Sequence, residues 1–356
     1  ENTLDAVFTL PNDIFYPGAT VQACCMVFKI GRKHGDISTP DTFFGYYKED
    51  GFKKKKNIGR IEQMDSITHK SKWIDIEKEW IVLYKNRKEK PGFSATSKVD
   101  ASDEWVCEAY MKTDLSLLKK TDFINTINKY FSYLVSIGKL FDEKFVPSSQ
   151  YVMDYFNFIR VYNNNLEEFV DTSNWKEFVY SEIFDVQKGF YNKKPEHNFS
   201  GEIPFLGATE RCNGVTEYYS IEDIEAASKT GDENNVVLEE KLFEGKAVCV
   251  TNNGSVGCAF FQPIPFTCSH DVNPLYILNG CFDMYNALFV ATVIEMDKYR
   301  WAYGRKWRPE RMVKSTIRLP ARIENGIYVP NWDFMRNYIK LLPYNEKNGG
   351  SDNGEQ

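Results

Sequence analysis

The side chains in this chain with catalytic potential are spaced in ways that do not serve catalysis. Ser269, His270 and Asp271 are the residue types of a hydrolytic triad, but they are consecutive. Consecutive side chains on a strand alternate faces and cannot relay a proton in line. The stretches GATVQ (18–22) and NNGSVG (252–257) lack the glycine spacing and the Lys-Ser/Thr pair of a phosphate loop. No G-x-G-x-x-G follows a strand-like run, and no pair of carboxylates stands out for general acid–base work. None of the eight cysteines forms a C-x-x-C pair, and His34, His69, His197 and His270 do not join them at zinc-ligand spacing. The chemistry that remains is binding.

Net charge is −6, which argues against a whole surface devoted to nucleic acid. The distribution reads differently. Between Lys298 and Arg322 there are nine basic residues and one acid, Glu310, a local balance of +8. A basic stripe suits phosphates, although such a run is also what an ordinary solvated face looks like. Gly304 precedes Arg305 and Lys306, placing two cations on a loop, and Arg308 and Arg311 follow. Polar loop residues elsewhere offer donors and acceptors for bases or phosphates: Lys188, Tyr191, Asn192, Thr209, Arg211, Asn213, Asn252 and Asn253. Asn213-Gly214 and Asn253-Gly254 read better as turn formers. Arg211 and Arg305 are the better binding candidates, since arginine has no part in making a turn. Lys53 to Lys56 form a second basic run, equally readable as phosphate contacts or as a solvated loop.

The elements that must hold these residues follow from periodicity. In residues 1–60, the apolar run 19–30 suits a strand buried on both faces, and 39–52 holds an aromatic strand before an Asp50-Gly51 turn. Residues 65–80 and 101–118 carry helix-spaced apolar positions, with a polar loop at 85–103 between them. The clearest helix is 121–138, with Asp122 as cap, Phe123, Ile127, Tyr130, Phe131 and Leu134 on one face, and Gly138 near its end. The polar stretch 163–174 marks a boundary. Beyond it a strand-rich pattern begins, with a hairpin at 246–266 around Asn252-Asn253-Gly254-Ser255, an amphipathic helix at 331–342 and a polar tail. The N-terminus has no basic region followed by an apolar core, no apolar run reaches 18 residues, and the scattered cysteines suit reduced thiols. The expectation is a cytoplasmic protein that neither crosses nor anchors in a membrane. The missing initiator Met suggests a fragment or a processed chain.

Two resemblances join these parts. Residues 10–35 and DGFKKKKNIGR (50–60) resemble the C-terminal end of an adenine-N6 DNA methyltransferase. The glycine motif that binds S-adenosylmethionine and the Asn/Asp-Pro-Pro-Tyr/Phe motif of that family do not occur, so the resemblance implies a tail without a catalytic centre or bound cofactor. Residues 183–194, 203–215, 245–275 and 299–320, followed by 331–342, resemble in order the target-recognition domain of type I restriction–modification specificity subunits and of fused type IIG enzymes. Trp332-Asp333 stands where the family has Asp-Trp. The implied fold is α+β: a β-containing methyltransferase tail (1–60), a helical connector (61–170), a strand-rich mixed α/β recognition domain (171–343) and a flexible tail (344–356). The implied partners are double-stranded DNA and a methyltransferase catalytic domain or subunit, which would supply S-adenosylmethionine. Type I subunits usually carry two recognition domains; one here implies a fused enzyme or a homodimer reading a palindromic or split site. A protein-binding module of a larger phage-defence assembly is the alternative from another class.

Overall fold

A computed structural model describes residues 2–19, 21–36, 38–162, 168–231, 237–301 and 305–344. The chain divides into two compact units, Glu1–Asp114 and Leu115–Gln356. This differs from the breaks expected at 60 and 170.

The first unit explains the first difference. Its sheet has the order β2 (Cys24–Lys29), β1 (Thr3–Thr9), β3 (Thr42–Tyr46), β6 (Ser94–Ser97). The outer strand β6 lies within the stretch expected to be a polar loop, so the unit cannot close before it. Between them lie the hairpin β4 (Phe52–Lys55)–β5 (Gly59–Glu62) and helix α1 (Lys72–Asn86). Two apolar clusters flank the sheet, one around Leu4, Val7 and Phe44, the other around Ala6, Phe43 and Tyr47. The apolar run 19–30 becomes β2, but as an exposed edge strand rather than a strand buried on both faces. Residues 101–118 form only two short 3-10 turns in place of the expected helix. The apolar residues there, Cys107, Met111 and Leu115, are buried without a continuous helical face.

The second unit explains the other difference. Helices α2 (Lys120–Ser136) and α3 (Ser149–Val161) belong to its core rather than to a separate connector. Asp122 sits three positions inside α2 and accepts the backbone N–H of Lys119, so it closes the helix start without being the capping residue itself. Next come β7 (Trp175–Val179), α4 (Tyr180–Ile183), β8 (Phe184–Val186), β9 (Ile203–Leu206), β10 (Val215–Tyr219), α5 (Ile221–Ala226) and α6 (Leu238–Lys241). They are followed by β11 (Ala247–Thr251), β12 (Ala259–Gln262), β13 (Thr267–Cys268) and β14 (Val272–Ile277). Helices α7 (Met284–Met296) and α8 (Pro309–Met312), strands β15 (Thr316–Glu324) and β16 (Ile327–Pro330), and α9 (Trp332–Leu341) complete the unit.

Three small sheets result, ordered β10-β9-β13, β12-β11-β14-β8 and β16-β15-β7. The axis of the unit is α7, whose first eleven residues are all buried. Phe289 on α7 meets Phe123 of α2 at 4.8 Å, Trp175 of β7 at 5.6 Å and Tyr338 of α9 at 5.6 Å between ring centroids. A helix apolar on every side is stable only when surrounded, and its neighbours here are α2, α9, β11, β12 and β15. The fold is mixed α/β, as expected. Among the described residues no helix is long and apolar enough to cross a membrane.

Candidate nucleic-acid interface

Strand register brings four turns of the second unit to one end. Thr251, the last residue of β11, lies opposite Val272, the first of β14, and Val250 lies opposite Ala259, the first of β12. After β8 the chain follows β14 backwards, with Gln187 N–H donating to Pro274 O (2.8 Å) and Gly189 N–H to Val272 O (3.0 Å). In the neighbouring sheet Leu206, the last residue of β9, pairs with Val215 and with Cys268. The turns 187–192, 207–214, 252–258 and 269–271 therefore share one rim. Cross-links stitch it together: Ser269 N–H donates to Leu206 O (2.9 Å), His270 N–H to Tyr191 O (2.8 Å) and Asn252 N–H to Asp271 O (2.8 Å).

Most of the expected site residues lie on this rim, but they divide into two kinds. Lys188, Asn192 and Arg211 are exposed. Thr209 is half-buried, and its Oγ1 accepts the N–H of Arg211 (3.2 Å), which holds the Arg211 backbone at the rim. The other kind faces inward and corrects the expectation of DNA contact. Tyr191 is fully buried, its hydroxyl donating to Ile224 O at 3.2 Å. Asn213 is buried at φ +53° and donates to Phe261 O at 2.9 Å. Asn252 is buried and donates to Asn273 Oδ1 (2.6 Å) and His270 O (3.0 Å). Asn253 is half-buried and donates to Asp271 Oδ1 at 3.0 Å. A polar group turned inward must find partners inside the protein, and these four side chains serve the loops' shape.

The basic window 298–322 also divides. Arg300 pairs with Asp297 at 3.5 Å, and Arg322 with Glu324 (2.6 Å) and Asp333 (3.0 Å). Arg318 donates to Thr172 O at 3.3 Å, and Arg311 to Lys306 O. Arg305 is buried, its guanidinium 4.3 Å from the Trp301 ring, which itself stacks on Trp307 at 4.6 Å. A charge count confined to the window misses acids just outside or beyond its ends, and for Arg305 it misses the ring beneath. Gly304 lies outside the described residues. Lys306 is half-buried; Arg308 and Lys314 are exposed. Replacing Arg305 with alanine is accordingly expected to lower stability by about 1–2 kcal/mol through lost packing and cation–π contact. The slope of duplex affinity against salt should stay as it was; a flattened slope in a filter-binding titration would restore Arg305 to the phosphate contacts.

The rim gains residues that are not among the expected base or phosphate contacts. His270 is exposed, its Nε2 3.3 Å from Asp271 Oδ1 and its Nδ1 3.1 Å from Tyr191 O. Ser269 Oγ accepts the backbone N–H of Asp271, which is turn chemistry and no triad. Lys298 reaches the rim from beyond α7, with its ammonium 3.0 Å from Cys258 Sγ and 3.5 Å from Glu210. Burial works to lower the pKa of that ammonium, but the Cys258 thiol and the Glu295 and Glu210 carboxylates outweigh it, so Lys298 stays charged. Lys229 lies with Lys188 along a cleft of about 350 Å³. Its carbonyl accepts the N–H of Asn192 at 2.9 Å. Nothing in the spacing of 188 and 229 announces this proximity.

This end of the small sheets presents Lys188, Asn192, Arg211 and His270 on stiffened turns. Residues 172–347, just under half of the chain, match the family described as the type I restriction modification DNA specificity domain. Among curated proteins it is similar to the Type II restriction enzyme BgcI specificity subunit S.BcgI of Heyndrickxia coagulans, 29% identical over 254 residues that cover 65% of this chain and 68% of the relative. Among solved structures it is similar to the type I restriction–modification S subunit from M. genitalium (14% identity, TM-score 0.32, covering 64% of this chain and 49% of that one). The HsdS subunit from Thermoanaerobacter tengcongensis is matched similarly (9%, TM-score 0.32, 64% and 51%). The chain spans about half the length of these solved structures.

Proposed function

We propose that this chain reads a short double-stranded DNA sequence for an adenine-methylating restriction–modification system, with the four-turn rim of the second unit against the duplex. The observation that carries the reading is the convergence, within the family-matched residues, of Lys188, Asn192, Arg211 and His270 on one end of the sheets. Arginine and lysine recognise guanine or phosphate, and asparagine recognises adenine. The inward-facing amides fix the turns so that these side chains are pre-positioned.

In this reading the first unit contributes the tail of an adenine-N6 methyltransferase, and a catalytic part in the same polypeptide or a partner subunit transfers the methyl group in the cytoplasm. The residues present do not fit S-adenosylmethionine: β1 runs into Leu10-Pro11 and β3 into Tyr47-Lys48, so neither strand ends in a glycine-rich turn. Methyl transfer is assigned to that other part. A homodimer would let one recognition domain serve both halves of a palindromic or split site.

Selection of duplexes from a random library at moderate salt tests the reading. A single enriched motif is expected, and enrichment of none would sink it. Arg211→Ala should weaken binding to the enriched site by about 1–3 kcal/mol, roughly 5- to 150-fold, and relax preference at one position if Arg211 reads a base. A uniform loss across sequences would instead make it a phosphate contact.

A further inference from the structure

The basic run Lys53–Lys56 is not a loose loop. Lys53, Lys54 and Lys55 lie on β4, paired with Ile61, Arg60 and Gly59 of β5, and Ile58 N–H closes the turn on Lys55 O at 3.1 Å. Asn57 and Gly59 hold the turn's positive φ values, +63° and +121°. The base of this finger is clamped. Arg60 makes two hydrogen bonds to Asp50, at 2.8 and 2.7 Å, and one to Asp13 at 3.2 Å, while Phe52 lies 6.4 Å from the Trp73 ring.

The clamp settles the local electrostatics. Asp13 and Asp50 are both held by Arg60, and Glu62 at the end of β5 accepts from Ser71, so these acids lie at the finger's base and the four lysines carry the charge of its outer part. All four are exposed, and among the described residues none of them has an ion pair. Strand alternation separates them further. Lys54 shares a face with Phe52 and lies 4.3 Å from the Tyr16 ring, turned toward the body of the unit. Lys53 and Lys55 take the open face, with Lys56 and the exposed Ile58 at the tip. A four-residue strand is about 13 Å long. The major groove of B-DNA is about 12 Å wide and admits a two-stranded ribbon.

We propose that this hairpin is a second duplex contact, independent of sequence, that grips the phosphates lining a groove through Lys53, Lys55 and Lys56. The proposal rests on the reading of the second unit as a DNA-recognition domain, and adds to it a positioning contact from the other unit. Four like charges held on a rigid exposed finger repel one another, and a polyanion relieves that repulsion. Phosphate contacts of this type set affinity and salt dependence while leaving sequence preference alone.

The test uses the full chain and two fluorescent 20-base-pair duplexes, one carrying the motif enriched by selection and one scrambled, each titrated across a range of salt. With Lys53, Lys55 and Lys56 all changed to Gln, affinity for both duplexes should fall at least tenfold at low salt. The slope of log affinity against log salt should drop by about 2 to 3, since each phosphate contact contributes about 0.9. The enriched motif and the melting temperature should not change, Lys54→Gln alone should move the slope less than any one of the three, and the triple change to Arg should restore it. A slope unmoved by the triple change overturns the hairpin contact even where the motif is still selected. If the unmodified chain binds duplexes with no preference and the triple change flattens the slope, the hairpin contact holds and the specificity reading falls. If the unmodified chain binds no duplex at any salt, both fall.

Discussion

Replacing Gly189 with alanine is expected to cost the protein about 3 kcal/mol of stability and its duplex selectivity together. A methyl group at this position would lie 2.0 Å from the carbonyl oxygen of Ser269 and 2.5 Å from that of Val272. Both obstacles are backbone, so no rotamer change relieves them, and the cost sits at the upper end of what overpacking produces. The chain at 187–191 must move off the 269–272 turn. That breaks the Gly189 N–H bond to Val272 O and loosens the bonds from Tyr191 to Cys268 and from His270 to Tyr191. Lys188, Asn192 and His270 then lose their common frame. Affinity for the selected site should fall about 100-fold while residual binding to scrambled DNA persists, because phosphate contacts tolerate displacement better than base contacts do. Urea denaturation and competition binding measure the two effects. A variant that retains both stability and selectivity would show that the two turns do not need their close approach.

That glycine illustrates how unevenly the structure is written in the sequence. Nothing in the sequence pairs Gly189 with its neighbour 80 residues away. Helix α2 is legible because Phe123, Ile127, Tyr130, Phe131 and Leu134 bury one face and leave the other wet. Helix α7 escapes the same reading: MYNALFVATVIEM has no polar face to give a period, although it is the centre of the unit. Strand β2 errs in the opposite direction. Its apolar run suggests burial on both faces, yet Met26 and Phe28 are exposed on the sheet edge.

The site follows the same division. The order of loop segments along the chain carries the family likeness, and strand register converts that order into a single rim. Which side chains face outward is decided by partners far along the chain, such as Phe261 for Asn213 and Asn273 for Asn252. An Asn-Gly pair looks alike whether its amide meets a base or a buried carbonyl. The basic window errs for an electrostatic reason: counting charges along it omits Asp297, Glu324 and Asp333, which lie just outside or beyond the window and pair with Arg300 and Arg322.

Asp297 gives the second large expected effect. It ends α7 almost without solvent contact, and burial pushes its carboxyl up to about 6, against the pull of Arg300 and Arg305 and with a smaller push from Glu177. The folded-state pKa lies above the unfolded value of about 4, so between those two pH values the folded protein holds more protons than the unfolded chain. Stability therefore falls as pH rises from about 4 through 6, by about 3 kcal/mol from this group, and stays lower above that. Arg300 is the nearest charge opposing the penalty. Changing Arg300 to Met should raise the Asp297 pKa further and leave a buried carboxylate with one counter-charge fewer, at a cost of about 3–5 kcal/mol at pH 8. At pH 5, where Asp297 is mostly protonated, only the pH-independent part should remain, including the contact of Arg300 with the Trp301 ring. Arg300→Lys keeps the charge and loses the planar group, so it should show no such pH dependence, with a similar small loss at both pH values. Urea midpoints at pH 5 and 8 for the three proteins separate these terms. Equal losses at both pH values for the Met variant would mean that Arg300 stabilises by packing alone. A loss confined to pH 8 would place a buried ion pair directly beneath the segment that carries Lys298 to the rim, and would make duplex binding by that variant fail at high pH and recover at low pH.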